Sequence, residues 1–338
     1  MPNVDINIVR YNQEFQMLRE CVHAALRQIF KNVTVTVTEN GSRDSIKEQL
    51  LLEFGDHSRF RYKENPANLG FAGAHNSFFA QSDADFVMPL NPDAIITPTY
   101  VAELVRAFED AKLGAATGKM VKFETLPDGS RILDGTGIVL SRARRGRERG
   151  QLEADRKQFD TQRQVFGVSG TAPLYRKSAL ESVRLYQQEY FDEDFFAYWE
   201  DLDLSWRLRL AGYECAYVPE AVVYHSRVAG QSQYGYKRPW EFVKHHKQFS
   251  SQIREWNWRN QLFVIVKNDF GWSFWRDSLF ILARQGSMLC YIVLFEPELL
   301  TTVSKMLHLF PRMMEKRRLI QQKRAIGSSE ISKWFSHS

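Results

Sequence analysis

Cysteine is scarce in this chain. Cys21, Cys215 and Cys290 are the three in 338 residues, widely spaced and without a C-x-x-C pair, so neither a disulfide framework nor a cysteine zinc site is expected. The stretch Met1–Tyr11 has no long apolar segment and carries Asp5 and Arg10. It does not read as a signal peptide, which predicts a cytoplasmic protein. Uninterrupted hydrophobic runs are also lacking. The best candidate, Ser278–Phe295, is broken by Arg284 and Gln285, whereas a spanning helix needs ~20 continuous apolar residues. That stretch is expected to lie on a surface. Repeats are absent, and 44% hydrophobic with 25% charged residues excludes a disordered or fibrous chain.

What is present is an alternation. Short β-branched runs at Asp5–Arg10, Val33–Thr38, Arg59–Lys63, Phe86–Pro89 and Ala115–Val121 are separated by amphipathic stretches at Glu14–Phe30, Asp44–Phe54, Ala72–Gln81 and Thr99–Ala111. This is the pattern of βαβ units in a mostly parallel, Rossmann-like α/β sheet. In such sheets a ligand sits beyond the carboxyl ends of the strands. Tyr11-Asn12, Glu39-Asn40-Gly41-Ser42, Asn65 and Asn91-Pro92-Asp93 stand there. Glu124–Phe159, with its turn signal and five arginines between Arg142 and Arg149, predicts an exposed loop excursion. A helix is expected from Glu200 to Gly212, followed by a strand ending at His225.

Three constellations carry chemistry. Asp93 ends a hydrophobic strand, where a carboxylate can hold Mg²⁺ or Mn²⁺ against a diphosphate, although Asn-Pro-Asp is also a good type I turn. Glu200-Asp201-x-Asp203, preceded by Asp192, Glu193 and Asp194, can supply a general base to an incoming hydroxyl. Acids in a first helical turn also complement the helix dipole without any catalytic role. The segment Asn68-Leu69-Gly70-Phe71-Ala72-Gly73-Ala74-His75-Asn76 allows close backbone approach to a nucleotide at a helix start, or is simply a tight strand-to-helix turn.

In their order along residues 4–230 these motifs resemble the inverting family 2 glycosyltransferases of GT-A fold, and within them the rhamnosyltransferase-like enzymes. The resemblance implies that Tyr11, Asn12, Glu39, Asn40, Ser42, Asn68, Gly70, Gly73, Asn76 and Asn91 bind the nucleotide-sugar donor, with Glu39 replacing the usual Asp. It implies that Asn91-Pro92-Asp93 stands in for the metal-binding Asp-x-Asp, leaving Asp93 as the principal ligand, with His225 near metal and diphosphate. Val168–Ala172 is similar to the loop on the acceptor side. Asp201 takes the place of the general base, supported by Glu200 and Asp203. The implied reaction moves rhamnose from dTDP-rhamnose onto a lipid-linked or polysaccharide acceptor in cell-surface polysaccharide biosynthesis. A non-catalytic scaffold of the same fold is the alternative.

Charge is divided unevenly. Residues 237–338 hold 17 Lys and Arg against 8 Asp and Glu, and six of the eight tryptophans. Residues 1–236 are therefore expected to form the catalytic domain. Residues 237–338 are expected to form a helical extension that rests on an anionic membrane surface, on the inner face of the plasma membrane, or builds a homodimer. Nucleic acid is not the expected partner. Lys316-Arg317-Arg318 and Lys323-Arg324 are the cations expected nearest lipid.

Overall fold

A computed structural model describes residues 1–225, 243 and 246–336. The expected boundary at 236 and 237, the turn-rich stretch up to Pro239, and Trp240 lie outside them. Strand β1 (Val4–Arg10) is flanked by β2 (Val33–Glu39) and β4 (Phe86–Leu90), and β3 (Phe60–Glu64) pairs with β2, all in parallel. Their β-branched residues are buried because helices cover both faces, as parallel sheets require. Helices α1 (Phe15–Leu26), α2 (Lys47–Phe54) and α3 (Gly70–Phe79) supply the crossovers.

Beyond β4 come β5 (Ala94–Ile96), α4 (Tyr100–Ala107) and β6 (Leu113–Thr125). Among the described residues the sheet has nine strands, eight of them in the order β3-β2-β1-β4-β10-β6-β11-β5, with β10 (Leu174–Arg176) antiparallel to both neighbours and β11 (Glu214–His225) parallel to β6. This is the mixed α/β sheet of a GT-A fold.

The stretch expected as a loop excursion is instead structured. Residues Arg131–Gly135 form β7 on β6, and Ile138–Ser141 (β8) pairs with Gly146–Glu148 (β9). The alternation of Ile138-Val139-Leu140 was obscured by flanking turn residues and arginines. Arg144 is not solvated. It is buried and donates to Asp269 and Asp277, at 2.8 Å each. A buried guanidinium is tolerable only with such partners.

After α5 (Lys177–Val183) and α6 (Glu200–Leu210), the tail forms α7 (Ser251–Asn268), α8 (Gly271–Phe295), α9 (Thr302–Gln322), α10 (Ser328–Ile331) and β12 (Phe335–Ser336). Strand β12 pairs with β8, returning the chain to the catalytic half. Phe263, Val264, Met313, Ile320 and Phe335 share one apolar cluster with Leu140, Phe166, Leu202 and Trp206.

The expected lipid-facing cations are largely consumed by this packing. Lys316 is buried among Glu189, Asp192 and Asp194, and Arg317 donates to the Val266 and Asp269 carbonyls. Lys323 donates to the Arg184 carbonyl, and Arg324 stacks 4.0 Å over Phe270. Sequence could not show that buried acids from residues 189–194 await them. Helix α8 is also longer than the run from Ser278: its 25 residues make it long and apolar enough to cross a membrane by length and composition.

Candidate active site

Strand register builds the donor side. Arg10, Glu39 and Glu64 are paired across β1, β2 and β3 at their carboxyl ends. Glu39 is held between the buried Arg10 guanidinium at 2.7 Å and the Ser42 hydroxyl, while Arg10 also binds Asp44 at 2.8 Å. Burial alone would lower the Arg10 pKa, but hydrogen bonds to Glu39 and Asp44 outweigh it and the group is raised. Tyr11 is exposed at the rim. Asn12, at φ 63°, accepts from Arg43 N, and its own N–H donates to Ser42. A cavity of about 460 Å³ opens here, lined by Glu39, Gly41, Ser42, Asp44, Glu64 and Asn65.

Several residues expected at the donor bind other residues of the protein. Asn40 is buried, donating to Asn68 Oδ1 and the Gly70 carbonyl while accepting from Asn65 and Leu69 N. Asn68 also accepts from Gly70 N. Asn76 accepts from Tyr190 N and Phe191 N and donates to the Phe191 carbonyl and Glu193. Its side chain ties α3 to residues 190–193. Gly73 and Asn76 border a separate cavity of about 380 Å³ with Leu69, Gln188, Glu193 and Phe196. Gly70 is required by contact: at φ +70° a Cβ would lie 2.5 Å from the Phe196 carbonyl. His75 is buried on Asn7, and burial lowers its pKa to about 3, so it is a neutral packing residue.

On the next strands, the antiparallel pairing of β5 with β11 sets Ala94 opposite His225. That brings Asp93 Oδ2 to 3.4 Å from His225 Nε2, while His225 Nδ1 lies 2.9 Å from Asp134 Oδ2 on β7. Burial would lower the His225 pKa; its contacts with Asp134 and Asp93 outweigh burial and raise it. Among the described residues no group of three or more His, Cys, Asp or Glu forms a protein-only cage. The Asp93–His225 pair fits a divalent ion that takes its other ligands from a diphosphate. Asp134 on Nδ1 fixes the ring so that Nε2 faces Asp93, the arrangement a carboxylate–histidine–metal triad uses. Asp134 lay inside the presumed loop, and only the strand pairing reveals it.

Backbone hydrogen bonds link the Asp93 turn to the Asp201 helix. Asn91 N donates to the Thr171 carbonyl at 2.8 Å, and Gly170 N donates to Asp201 Oδ2 at 2.9 Å. Asp201 is thus held at the start of α6 beside the turn that carries Asp93. Glu200 is buried with one carboxyl oxygen lacking a hydrogen bond. Burial first, then the charges of Asp201 and Asp203, push its pKa well above the usual carboxylate range.

Asp203 stands outside the cleft. It is fully buried, bound to Arg207 at 2.9 Å, Lys267 at 2.8 Å and Asn268 at 2.7 Å. It anchors α6 to the tail. The turn before α6 is strained, with Phe196, Tyr198 and Trp199 at φ 65°, 70° and 74°, a conformation that surrounding structure must enforce. Asn260 of α7 enforces it, donating to the carbonyls of Phe195, Ala197 and Tyr198 at 2.9 to 3.0 Å. No sequence signal marked Asn260 among the other polar residues of α7.

Residues 5–184 match the sequence model of Glycosyl transferase family 2. The chain belongs to that family. Within glycosyl transferase family 2 it is 27% identical over 224 residues to the poly-beta-1,6-N-acetyl-D-glucosamine synthase of Staphylococcus epidermidis, covering 63% of this chain and 47% of that protein. An N-acetylglucosaminyltransferase of Mesorhizobium japonicum is 27% identical over 65% of this chain and 50% of its own length. The chain thus spans about half the length of the curated relatives it matches. The solved structure of S. aureus TarS 1-349 with UDP-GlcNAc superposes at TM-score 0.55 and 14% identity, covering 95% of this chain and 89% of that one. GalNAc-T7 with UDP, GalNAc and Mn²⁺ superposes at 0.59, with 14% identity, over 79% of this chain and 48% of that one. At such identities these neighbours establish the fold.

Proposed function

We propose that this family 2 glycosyltransferase transfers a sugar from a nucleoside diphosphate to an acceptor hydroxyl with inversion, using Asp201 as general base and Asp93 with His225 at the diphosphate. The observation that carries the reading is the Asn91–Thr171 and Gly170–Asp201 pair of hydrogen bonds, which joins two carboxylates more than one hundred residues apart in sequence into one cleft. Asp201 takes the proton of the acceptor hydroxyl. That oxygen attacks the anomeric carbon as the bond from carbon to the diphosphate oxygen breaks, and the nucleoside diphosphate leaves with the electron pair. Glu200, whose carboxyl burial shifts toward its neutral form, adds less negative charge beside the base. A divalent ion, when bound, offsets the charge of the leaving diphosphate. Arg10 fixes Glu39 and the Ser42 loop, where the base and ribose sit.

The donor reading favoured by the relatives' names is a UDP-linked N-acetylhexosamine. Asn91-Pro92-Asp93, in place of Asp-x-Asp, supports the second reading, dTDP-rhamnose. A lipid-linked or polysaccharide acceptor at the cytoplasmic membrane face accords with both. The test is titration of the full chain with UDP-GlcNAc, dTDP-rhamnose and GDP-mannose in Mg²⁺ or Mn²⁺, reading heat of binding and nucleoside diphosphate release. Binding of one donor, abolished in Asp93→Ala, and a product of inverted anomeric configuration are expected. Failure of every donor to bind overturns the reading.

A further inference from the structure

We propose that the outer face of α8, continued onto the start of α9, lies half immersed in the plane of a lipid bilayer without crossing it; this rests on the lipid-linked acceptor reading. Trp272, Trp275, Leu279, Leu282, Leu289 and Val293 recur at helical spacing along one exposed stripe of α8. Ala283, Gly286 and Cys290 lie between them, and no charged residue interrupts the stripe. Trp275 is 69% exposed, Leu282 66% and Leu294 72%, and on α9 Leu307 is 70% exposed. Together they leave apolar surface on the order of 1,000 Å², beyond the roughly 300–600 Å² of the largest patch on a typical soluble monomer.

The opposite face settles the orientation. Asp277 is buried and receives Arg142 at 2.6 Å, Arg144 at 2.8 Å and Arg276 at 2.7 Å. Ile281 and Ile292 point inward, and just past the helix Glu296 holds His246, Arg254 and Tyr291. Crossing a bilayer would strip these ion pairs from the protein and carry Asp277 into hydrocarbon. Lying in the interface keeps them and immerses only the apolar stripe.

Lipid is the occupant the chemistry fits. The stripe's side chains offer hydrogen bonds only from two tryptophan indoles, which belong at the membrane–water boundary, whereas protein interfaces carry about one hydrogen bond per 100–200 Å². The helix is also apolar enough for a bilayer by composition. Its end adjoins the acceptor side: Glu296 binds Arg254 on α7, and Trp256, two residues on, stacks 4.8 Å from Phe196 in the turn before Glu200. Because Lys305, Arg312, Lys316 and Arg317 of α9 bind within the protein, attachment is driven chiefly by apolar contact and depends little on lipid charge.

The test is flotation of the full chain with vesicles of phosphatidylcholine alone and with added phosphatidylglycerol, at low and high salt, with donor binding measured in parallel. Wild type is expected to float with both vesicle types at both salt levels. Leu282→Glu and Leu294→Glu should each weaken flotation about tenfold or more with donor binding unchanged. A fluorophore on Cys290, and on Trp275→Cys in a Cys290→Ser background, should report equal shallow depth, whereas a spanning helix separates them by about 22 Å. Equal flotation of the variants, unequal probe depths, binding to anionic vesicles alone, or a soluble dimer broken by Leu282→Glu would overturn the proposal. Loss of donor binding in wild type would instead sink the transferase reading.

Discussion

The two sides of the cleft are held together in different ways. On the donor side, support is local: Arg10, Glu39, Ser42 and Asp44 bind one another, and Asn40, Asn65 and Asn68 close the neighbouring loop, all within the βαβ repeat. On the acceptor side, the helix that begins with Glu200 and Asp201 depends on the tail, through Asn260 on the strained turn and Lys267 and Asn268 on Asp203. The tail that composition marks as an appendage therefore holds the turn and the helix that carry the proposed base. A basic segment need not face an external anion when acids of its own chain lie beneath it.

This contrast can be broken or sharpened by substitution. Asp201→Asn keeps the shape of the site and removes the base, so transfer should fall by about 10²–10⁴-fold with donor affinity retained; comparable activity would remove the acceptor side from the chemistry. Lys267→Met removes one of the two cations on each of the buried Asp192 and Asp203, leaving Lys316 and Arg207, and should cost about 3 kcal/mol in urea unfolding. An unchanged midpoint would show that the tail does not support α6.

Asp134→Asn should weaken Mn²⁺ binding by about 10–100-fold in calorimetry, and intact affinity would reduce Asp134 to packing. Glu39→Gln, on the locally braced side, should raise the donor KM about tenfold and spare kcat. Equal loss of kcat would mean that the two sides are not separable.

The smallest expected effect is in acid. Burial would raise the Glu296 carboxyl, but His246, Tyr291 and Arg254 outweigh it and hold its pKa down to about 2 from 4.5. Its stabilising contribution is complete above pH 4.5 and is lost as pH falls toward 2. Glu296→Gln should therefore flatten the acid limb of tail unfolding over that window, read by tryptophan fluorescence, and leave donor binding near neutral pH unchanged.

How much was legible follows from the same physics. The five runs mark real strands within two residues at their starts; in β1, β2, β4 and β6 this is because a strand buried on both faces needs apolar residues whatever its neighbours are, while the edge strand β3 keeps exposed positions. The loops after them were legible because ligand sites in these sheets lie at strand ends. The sequence also placed Asp93, Glu200, Asp201 and His225 on the elements that carry them. It could not separate Asp201 from Asp203, two positions along one helix: one faces the cleft and the other a buried lysine 64 residues away in sequence. Nor could it show which partners within the protein Asn40 and Asn76 take, since loop geometry sets them.

Local pattern and strand-end chemistry were thus determined by the sequence itself, since both depend on neighbours along the chain. The fate of each charge was decided only by tertiary structure. Lys316 and Arg144 read as solvated until folding brings their counter-ions from more than one hundred residues away, and Asp203, with Arg207 one turn along its helix, reads as reactive until Lys267 meets it; a buried charge takes its role from whatever meets it there.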